Sequence, residues 1–507
     1  MAKKEKVKKG KGRTSMRPDS KDQNITKETL REFGRRNMTA YALEVNLGRS
    51  IPELVDGLKP VQRRVLWAAS QFPKGAHKTA QIVGSCLGNY HPHGDSSVSS
   101  AIETLVHHPT PTMEGHGEWG SLIDSAAAAR YTNTCLSKFG RTFFESDYIN
   151  KEVTSFVPTY TDKDVEPVTL PAQMPFVLMT GATGVGVGIT TDMPSFTPES
   201  LIDVMERLLD GEKLDAKDFA KSLKYDHKWG GSVVNTKENR KGWLQMFESP
   251  EGKVLFEANL EVYRDEKRIV IADWPPGLNP EKFVEKVRDL PECGGVDNVQ
   301  GLKYEIRLRK DHNFDQFDKF EKKVRKLSTV SQSFKCVVTK TRAKVVDGVV
   351  KSKTDILAMS VPELLVAWLK ERIKLELKSL AFRIKKQKAA IAYSELLLYA
   401  TKGSNLDVII HAVRKTDDPE KHIMKKLKLT EEQAKQILAL QLRQLSRLEE
   451  KTLNANLKDQ KKVLAQLEKW EQKPKKQVRK SFAPILDAIK ADRKRVKELA
   501  EQELTIV

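Results

Sequence analysis

The spacing of apolar positions sets out the chain before any motif is considered. Residues 22–45 carry the pattern of an amphipathic helix, 48–60 interrupts it, and 61–70 is helical again. Two short helices then flank a turn. The first covers about 79–87 and stops at Gly88-Asn89, residue types that favour a helix C-terminus. The turn is Tyr90-His91-Pro92-His93-Gly94. The second helix starts near Asp95, an N-cap residue type, with Val98, Ile102 and Leu105 on one face. This is a helix-turn-helix outline, an arrangement able to present a helix to a DNA major groove. Short apolar strands and the run Gly181-Ala182-Thr183-Gly184-Val185-Gly186-Val187-Gly188 fill 165–195. From 231 to 350, alternating stretches such as 253–257 and 268–271 predict strands around a helix over 280–290, an α+β segment. Beyond Ser360 the chain turns helical. The capping boxes Ser360-Val361-Pro362-Glu363 and Thr430-Glu431-Glu432-Gln433 start helices, the first reaching about Thr401. Leu438, Leu442, Leu445, Leu453, Leu457, Leu464 and Leu467 repeat at heptad-like intervals. Two long helices with a small helical insertion between them predict an antiparallel coiled coil. After Lys473 the chain is basic and helical.

Composition narrows the partners. A chain of 507 residues accommodates two to four domains, and 39% hydrophobic residues suffice for real cores. The formal charge of +20 suggests a polyanionic partner such as nucleic acid, although a merely soluble basic protein fits the charge equally well. Cys86, Cys135, Cys293 and Cys336 are far apart without a C-x-x-C spacing, which indicates neither a zinc knuckle nor a disulfide framework and suits a reducing, cytoplasmic setting. No apolar run approaches the roughly 20 residues of a membrane span. The Lys-rich start, 2–17, lacks the apolar core of a secretory signal. It reads either as a basic arm touching DNA or a partner, or as a solvated tail.

Chemistry concentrates in Ser125-Ala126-Ala127-Ala128-Ala129-Arg130-Tyr131-Thr132. A phenol with a pKa near 10 is a poor nucleophile unless activated. An adjacent cation favours the phenolate and offsets charge building on a phosphorane-like transition state. Small residues before the pair let a DNA backbone come close. Alone, Arg-Tyr is common and more often structural. The glycine run superficially suggests a nucleotide loop, but it has no Lys-Ser/Thr of a P-loop.

The wider context is more specific. Gly48-Arg49-Ser50-Ile51-Pro52-Glu53-Leu54-Val55-Asp56-Gly57-Leu58-Lys59-Pro60-Val61-Gln62-Arg63-Arg64-Val65-Leu66, then Tyr90-His91-Pro92-His93-Gly94-Asp95-Ser96, then 125–132, and finally 429–449 resemble, in order and spacing, the breakage-reunion core of the type IIA topoisomerase A subunits, those of DNA gyrase and topoisomerase IV. The resemblance covers about 35–470. It implies a multidomain α+β fold: a disordered basic arm (1–20), a winged-helix domain with the catalytic tyrosine (21–165), an α/β tower (166–355), a coiled coil with a small helical gate (356–470) and a basic C-terminal tail (471–507). Tyr131 matches the nucleophile that becomes linked to a DNA 5′ end, and Arg130 matches its phosphate-stabilising partner. Arg49 matches a residue beside the broken backbone. Lys59, Arg63, Arg64, His91 and His93 match residues near that backbone or along the duplex, where cations offset phosphate charge and imidazoles donate hydrogen bonds. Val185 matches the apolar wedge that unstacks a base step. Ser96 matches a serine that helps hold the metal bridge of quinolone drugs.

Two departures stand out. Gln62 replaces a frequent histidine, which removes a proton-shuttling role there. Ser100 stands where an acidic residue is usual, so weaker quinolone trapping is expected. The chain also has no ATP-binding glycine motif and no Glu plus Asp-x-Asp cluster for Mg²⁺. The resemblance therefore assigns Mg²⁺ and ATP to a separate B-type subunit with ATPase and Toprim domains, in an A₂B₂ assembly whose two A-type subunits form a C₂ dimer. The stretch Leu406-Asp407-Val408-Ile409-Ile410 with Ile423-Met424 is a candidate lower-gate surface, with packing inside one chain as the alternative. The β-pinwheel that follows this core in gyrase has no counterpart within the 507 residues. That leads to the expectation of relaxation and decatenation rather than supercoiling, and of a short phage-type form. The rival readings are a DNA-binding scaffold without catalysis, and a tyrosine recombinase or relaxase, whose Arg/His constellations are not found.

Overall fold

Helix α1 (Leu30–Val45) opens the structure, a computed structural model that describes residues 28–346, 349–439 and 450–504. The Lys-rich start, Leu442 and Leu445 lie outside the described residues. At the head of α1, Thr29 and Glu32 satisfy each other's backbone N–H groups in a capping box. The helix buries none of its residues, leaving Leu30, Phe33, Met38, Tyr41 and Leu43 exposed. The interruption expected at 48 is a π-helical turn, Asn46–Ser50.

Three helices follow: α2 (Pro60–Ser70), α3 (Thr79–Asn89) and α4 (Asp95–His107). They bury Val65, Leu66, Ile82, Val98, Ile102 and Leu105 against one another. The N-cap of α4 is Gly94, not Asp95. Asp95 is instead an acid in the first turn, where the helix dipole favours it. Strands β1 (His77–Lys78), β2 (Met113–His116) and β3 (Asn133–Leu136) form an antiparallel sheet in the order β1-β3-β2.

The middle of the chain builds two further sheets. The hairpin Ala182–Val185/Thr190–Met193 lies at one edge of a sheet that continues through Val330–Lys335 and Glu251–Glu257 to Ser232–Val233. Glu251–Glu257 alternates exposed and buried residues, the period-2 pattern of a strand with one covered face. Helix Pro198–Asp210 buries Leu201, Val204 and Met205 in the main core. Thr197 caps its start, and Gly211 ends it in the left-handed conformation at φ 93°. A separate core, with Trp274, Phe283, Phe317 and Phe320 fully buried, lies between the four-stranded sheet of 260–308 and the helices Pro280–Arg288 and Phe314–Leu327. Packing does not change at 165/166. One core runs from Leu54 through Phe143, Leu170, Phe256 and Val338 to Trp368, so the first two expected units share it.

The helix Val361–Thr401 is 41 residues long, roughly 60 Å. Glu363 reaches back to accept the Ser360 N–H at 2.8 Å, as the capping box requires. Its partner Glu450–Glu471 runs antiparallel: Arg383 lies over the Trp470 ring, Lys388 pairs with Glu468, and Glu395 pairs with Lys461. Leu453 and Leu467 are buried, as the leucine spacing predicts. Between the two arms, Ile409 and Ile423 are buried with Leu396, Ala400 and Ile437, and Leu406, Val408 and Met424 pack on them. The candidate gate stretch therefore buries Ile409 and Ile423 inside its own chain and keeps Leu406, Val408 and Met424 partly exposed.

The expected basic tail is corrected by the packing. Helix Pro474–Leu504 docks on the body of the protein, burying Val478, Phe482, Ile485 and Ile489 in the main core. Asp492 accepts the backbone N–H groups of Lys138 and Phe139 at 3.0 and 2.7 Å, and Arg493 pairs with Asp226 at 2.8 Å. The apolar residues recur at helical spacing beneath the lysines, and the charge masked them.

Candidate functional site

Tyr131 sits on a loop fastened to the start of α3. The first turn of a helix leaves N–H groups without intrahelical partners. Here Thr79 N–H donates to Thr132 O at 3.1 Å and Ala80 N–H donates to Ala129 O at 3.0 Å, on either side of Arg130-Tyr131. The Thr132 hydroxyl adds a bond to Thr79 Oγ1 at 2.8 Å. The loop is thus held while Tyr131 itself stands 66% exposed. The Arg130 guanidinium lies 4.7 Å from the centre of the Tyr131 ring, within cation–π range. Arg130 is exposed as well.

Val185 ends its strand at the tip of the hairpin and is 81% exposed. The hairpin is braced from behind. Asn46 holds Val187 through both its N–H (2.8 Å) and its carbonyl (3.1 Å), and Ser50 Oγ donates to Val185 O at 2.8 Å. Lys59 Nζ donates to Thr183 O at 2.6 Å. A Cβ at Gly184 would lie 2.1 Å from Ser50 O, and one at Gly186 would lie 2.0 Å from Asn46 Oδ1. The glycines therefore admit the Asn46–Ser50 turn, a contact inside the protein. That neighbour lies some 140 residues away in sequence (187 minus 46), which hides the reason for the glycines from a linear reading.

The remaining predicted site residues divide into two groups. Arg49, His93 and Ser96 are exposed. Arg63 and Arg64 are engaged internally. Arg63 binds the fully buried Asp56 through Nε at 2.6 Å and Nη2 at 3.0 Å. Arg64 binds Glu166 through two bonds of 2.8 Å and lies 3.3 Å from His91 Nδ1. His91 is buried. Its imidazole is pushed down to about 4 by burial first, then by Arg64, His93 and Arg49, and so is neutral at pH 7. Facing a guanidinium, His91 Nδ1 is the acceptor. Gln62 accepts the Lys59 backbone N–H at 3.0 Å, a helix-capping role.

A groove of about 520 Å³ runs between α4, α2 and the base of the hairpin, lined among others by Arg49, Lys59, Ser97, Ser100, Thr104 and Thr183. His108, Asp192, Tyr225, His227 and Lys228 line it too, and none of them belongs to a sequence motif. Burial pushes the Asp192 carboxyl up to about 6, partly offset by a bond from Gln332. His108 is pushed down to about 3 by burial, Lys228 and His107. These groups come from separate segments of the chain, and no local spacing signals them.

A family model for the A subunits of DNA gyrase and topoisomerase IV matches residues 49–483. Among curated relatives, the A subunit of DNA topoisomerase 4 from Caulobacter vibrioides is 32% identical over 451 residues, covering 85% of this chain and 57% of that protein. The A subunit of DNA gyrase from Streptococcus pneumoniae is 27% identical over 511 residues, covering 96% of this chain and 60% of that protein. The A subunit of DNA topoisomerase 4 from Rickettsia felis is 31% identical over 453 residues, with 84% and 59% covered. The chain thus spans about three-fifths of the length of these relatives. No helix among the described residues is long and apolar enough to cross a membrane. With a match that extends from the Asn46–Ser50 turn, through the Tyr131 loop and the Val185 hairpin, into the C-terminal helix, the chain belongs to the family of DNA gyrase and topoisomerase IV A subunits.

Proposed function

We propose that this chain is the breakage-reunion subunit of an ATP-dependent type IIA DNA topoisomerase, with Tyr131 as the nucleophile. The observation that carries this reading is Tyr131 itself: an exposed phenol beneath a guanidinium, on a loop tied at both sides to the head of α3. In this reading α2 to α4 with the β1-β3-β2 sheet form the winged-helix domain. The long antiparallel helices are the coiled coil, ending in the small helical gate through which two copies meet. The exposed apolar residues of α1 suit a docking face for the B-type subunit. The groove lined by Arg49, Lys59 and Lys228 suits a phosphate backbone.

Tyr131 Oη attacks a DNA phosphorus, giving up its proton. The bond from phosphorus to the 3′-oxygen breaks as the phosphotyrosine bond forms, and the leaving oxygen takes a proton. One phosphoester replaces another, so resealing by the 3′-hydroxyl needs no further energy source. Arg130, exposed and stacked against the ring, swings to the phosphate and offsets its charge. Val185 inserts at a base step and bends the duplex. Bound Mg²⁺ supplies the remaining neutralisation at the phosphate and leaving oxygen, and ATP turnover drives passage of a second duplex; both are assigned to the B-type partner. Two copies related by a two-fold axis cut the two strands.

The test is denaturation of the protein on labelled DNA with Mg²⁺ and a B-type partner present. A covalent adduct that disappears in Tyr131→Phe is the expected result. Absence of an adduct with the unmodified chain would favour a DNA-binding scaffold.

A further inference from the structure

The wing sheet holds a second set of reactive side chains, separate from the DNA-cleavage chemistry. Glu114 and His116 lie two residues apart on β2 and so project from one face. The opposite face is filled: a Cβ at the intervening Gly115 would lie 2.5 Å from Trp119 Nε1. On β3, Cys135 stands directly across from Glu114 in the strand register. Cross-strand neighbours of this kind hold their side chains within reach of each other. His116 Nε2 lies 3.1 Å from Glu114 Oε1, and the donor atoms of all three residues lie within 4.8 Å of one another. Among the described residues this is the one group of three metal-type donors so placed.

We propose that Glu114, His116 and Cys135 form a transition-metal site, with Zn²⁺ as the natural occupant. A thiolate, an imidazole and a carboxylate are the donor types zinc takes, whereas Mg²⁺ takes oxygen donors and keeps its waters. Tetrahedral zinc with bonds of about 2.0–2.3 Å needs donors roughly 3.3–3.8 Å apart, so side-chain rotation of about 1 Å closes the set. Three protein ligands leave the fourth position to water. Charge also balances: Zn²⁺ with a Cys135 thiolate, a Glu114 carboxylate and a neutral His116 is a neutral unit. Without metal, burial and the neighbouring Glu114 push the Cys135 thiol up, so the sulfur carries its proton. Binding therefore forms the metal–sulfur bond, breaks S–H and releases one proton to solvent. An outer partner is in place. Arg495 of the C-terminal helix lies 3.3 Å from Glu114 Oε1. Residues beyond the ligands that orient them are a normal part of such sites. The ion would tie β2 to β3 just after the Tyr131 loop and, through Arg495, to the C-terminal helix.

Direct metal binding tests the proposal without any reading of activity. The full chain is stripped with a chelator and titrated with Zn²⁺ against a chromophoric competitor, then separately with Co²⁺. The expected result is one Zn²⁺ per chain, and a Co²⁺ complex with a near-ultraviolet sulfur-to-metal band and the visible bands of tetrahedral cobalt. Cys135→Ser should remove the sulfur band. His116→Gln should weaken Zn²⁺ binding by at least the roughly 10–100-fold that even an outer partner's loss produces. Circular dichroism shows that each variant folds. Metal bound with no sulfur band, or Zn²⁺ stoichiometry unchanged in Cys135→Ser, would overturn the assignment. No Zn²⁺ binding at micromolar metal would do the same.

Discussion

Arg63 separates two physical accounts of the same residue. The family resemblance makes it a cation along the bound duplex, whereas the structure gives it a buried carboxylate. Its Nε and Nη2 meet Asp56 at 2.6 and 3.0 Å, Nη2 also reaches Leu58 O at 3.3 Å, and Asp56 is fully buried. Removing one member of a buried pair leaves an uncompensated charge and costs about 3–5 kcal/mol. Asp56 keeps the backbone N–H groups of Leu58 (3.0 Å) and Leu170 (2.8 Å), which places Arg63→Ala near the lower end, about 3 kcal/mol. For a cooperative unit of about 150–250 residues, each kcal/mol shifts Tm by roughly 2–4 °C, so the variant should melt roughly 6–12 °C lower. The assay is thermal melting beside DNA affinity measured across salt concentration. A phosphate contact contributes about 0.9 to the slope of log K against log salt. Arg63→Ala should leave that slope unchanged when measured well below its melting temperature. An unchanged Tm with a slope lower by about one would refute the buried-pair argument and return Arg63 to the DNA.

Other substitutions probe the rest of the site. Tyr131→Phe should abolish the covalent adduct yet stay within about 0.5 kcal/mol of the parent in stability, because the side chain is 66% exposed; calorimetry and adduct assays on one preparation check both. Val185→Ala should reduce DNA bending, read by end-to-end fluorescence transfer, without changing Tm, since Val185 is 81% exposed. Gly184→Ala, one residue earlier, should do the opposite and destabilise by about 1–3 kcal/mol, because its Cβ would meet Ser50 O at 2.1 Å. His91 gives a pH signature. Its folded pKa of about 4 lies below the ordinary 6.5, so between those values the unfolded chain binds more protons and stability falls as pH falls. The loss should be about 3 kcal/mol by pH 4, and His91→Gln should flatten that part of a denaturant-melt pH profile.

Much was decided locally, and the sequence by itself determined it. The capping boxes at Thr430 and Ser360, the alternation in 253–257, and the leucine spacing that buries Leu453 and Leu467 each depend on residues a few positions apart, so periodicity exposes them. Arg130-Tyr131 and Val185 were singled out by the family resemblance rather than by their own spacing, and the structure leaves all three exposed. Tertiary structure alone decided which cations are free. Arg63 and Arg64 sit in a motif full of positive charge, yet Asp56 and Glu166 engage both of them, the latter from 102 residues away. It also decided that the lysine-rich end is a docked helix, that Ile409 and Ile423 of the gate stretch are buried within the chain, and that Cys135 faces Glu114 across two strands. Asp56 lies seven residues before Arg63, but in the other cases the deciding partner is farther along the chain. Charge and hydropathy report a side chain's own chemistry, but its pairing and burial exist only once the chain has brought a distant segment against it.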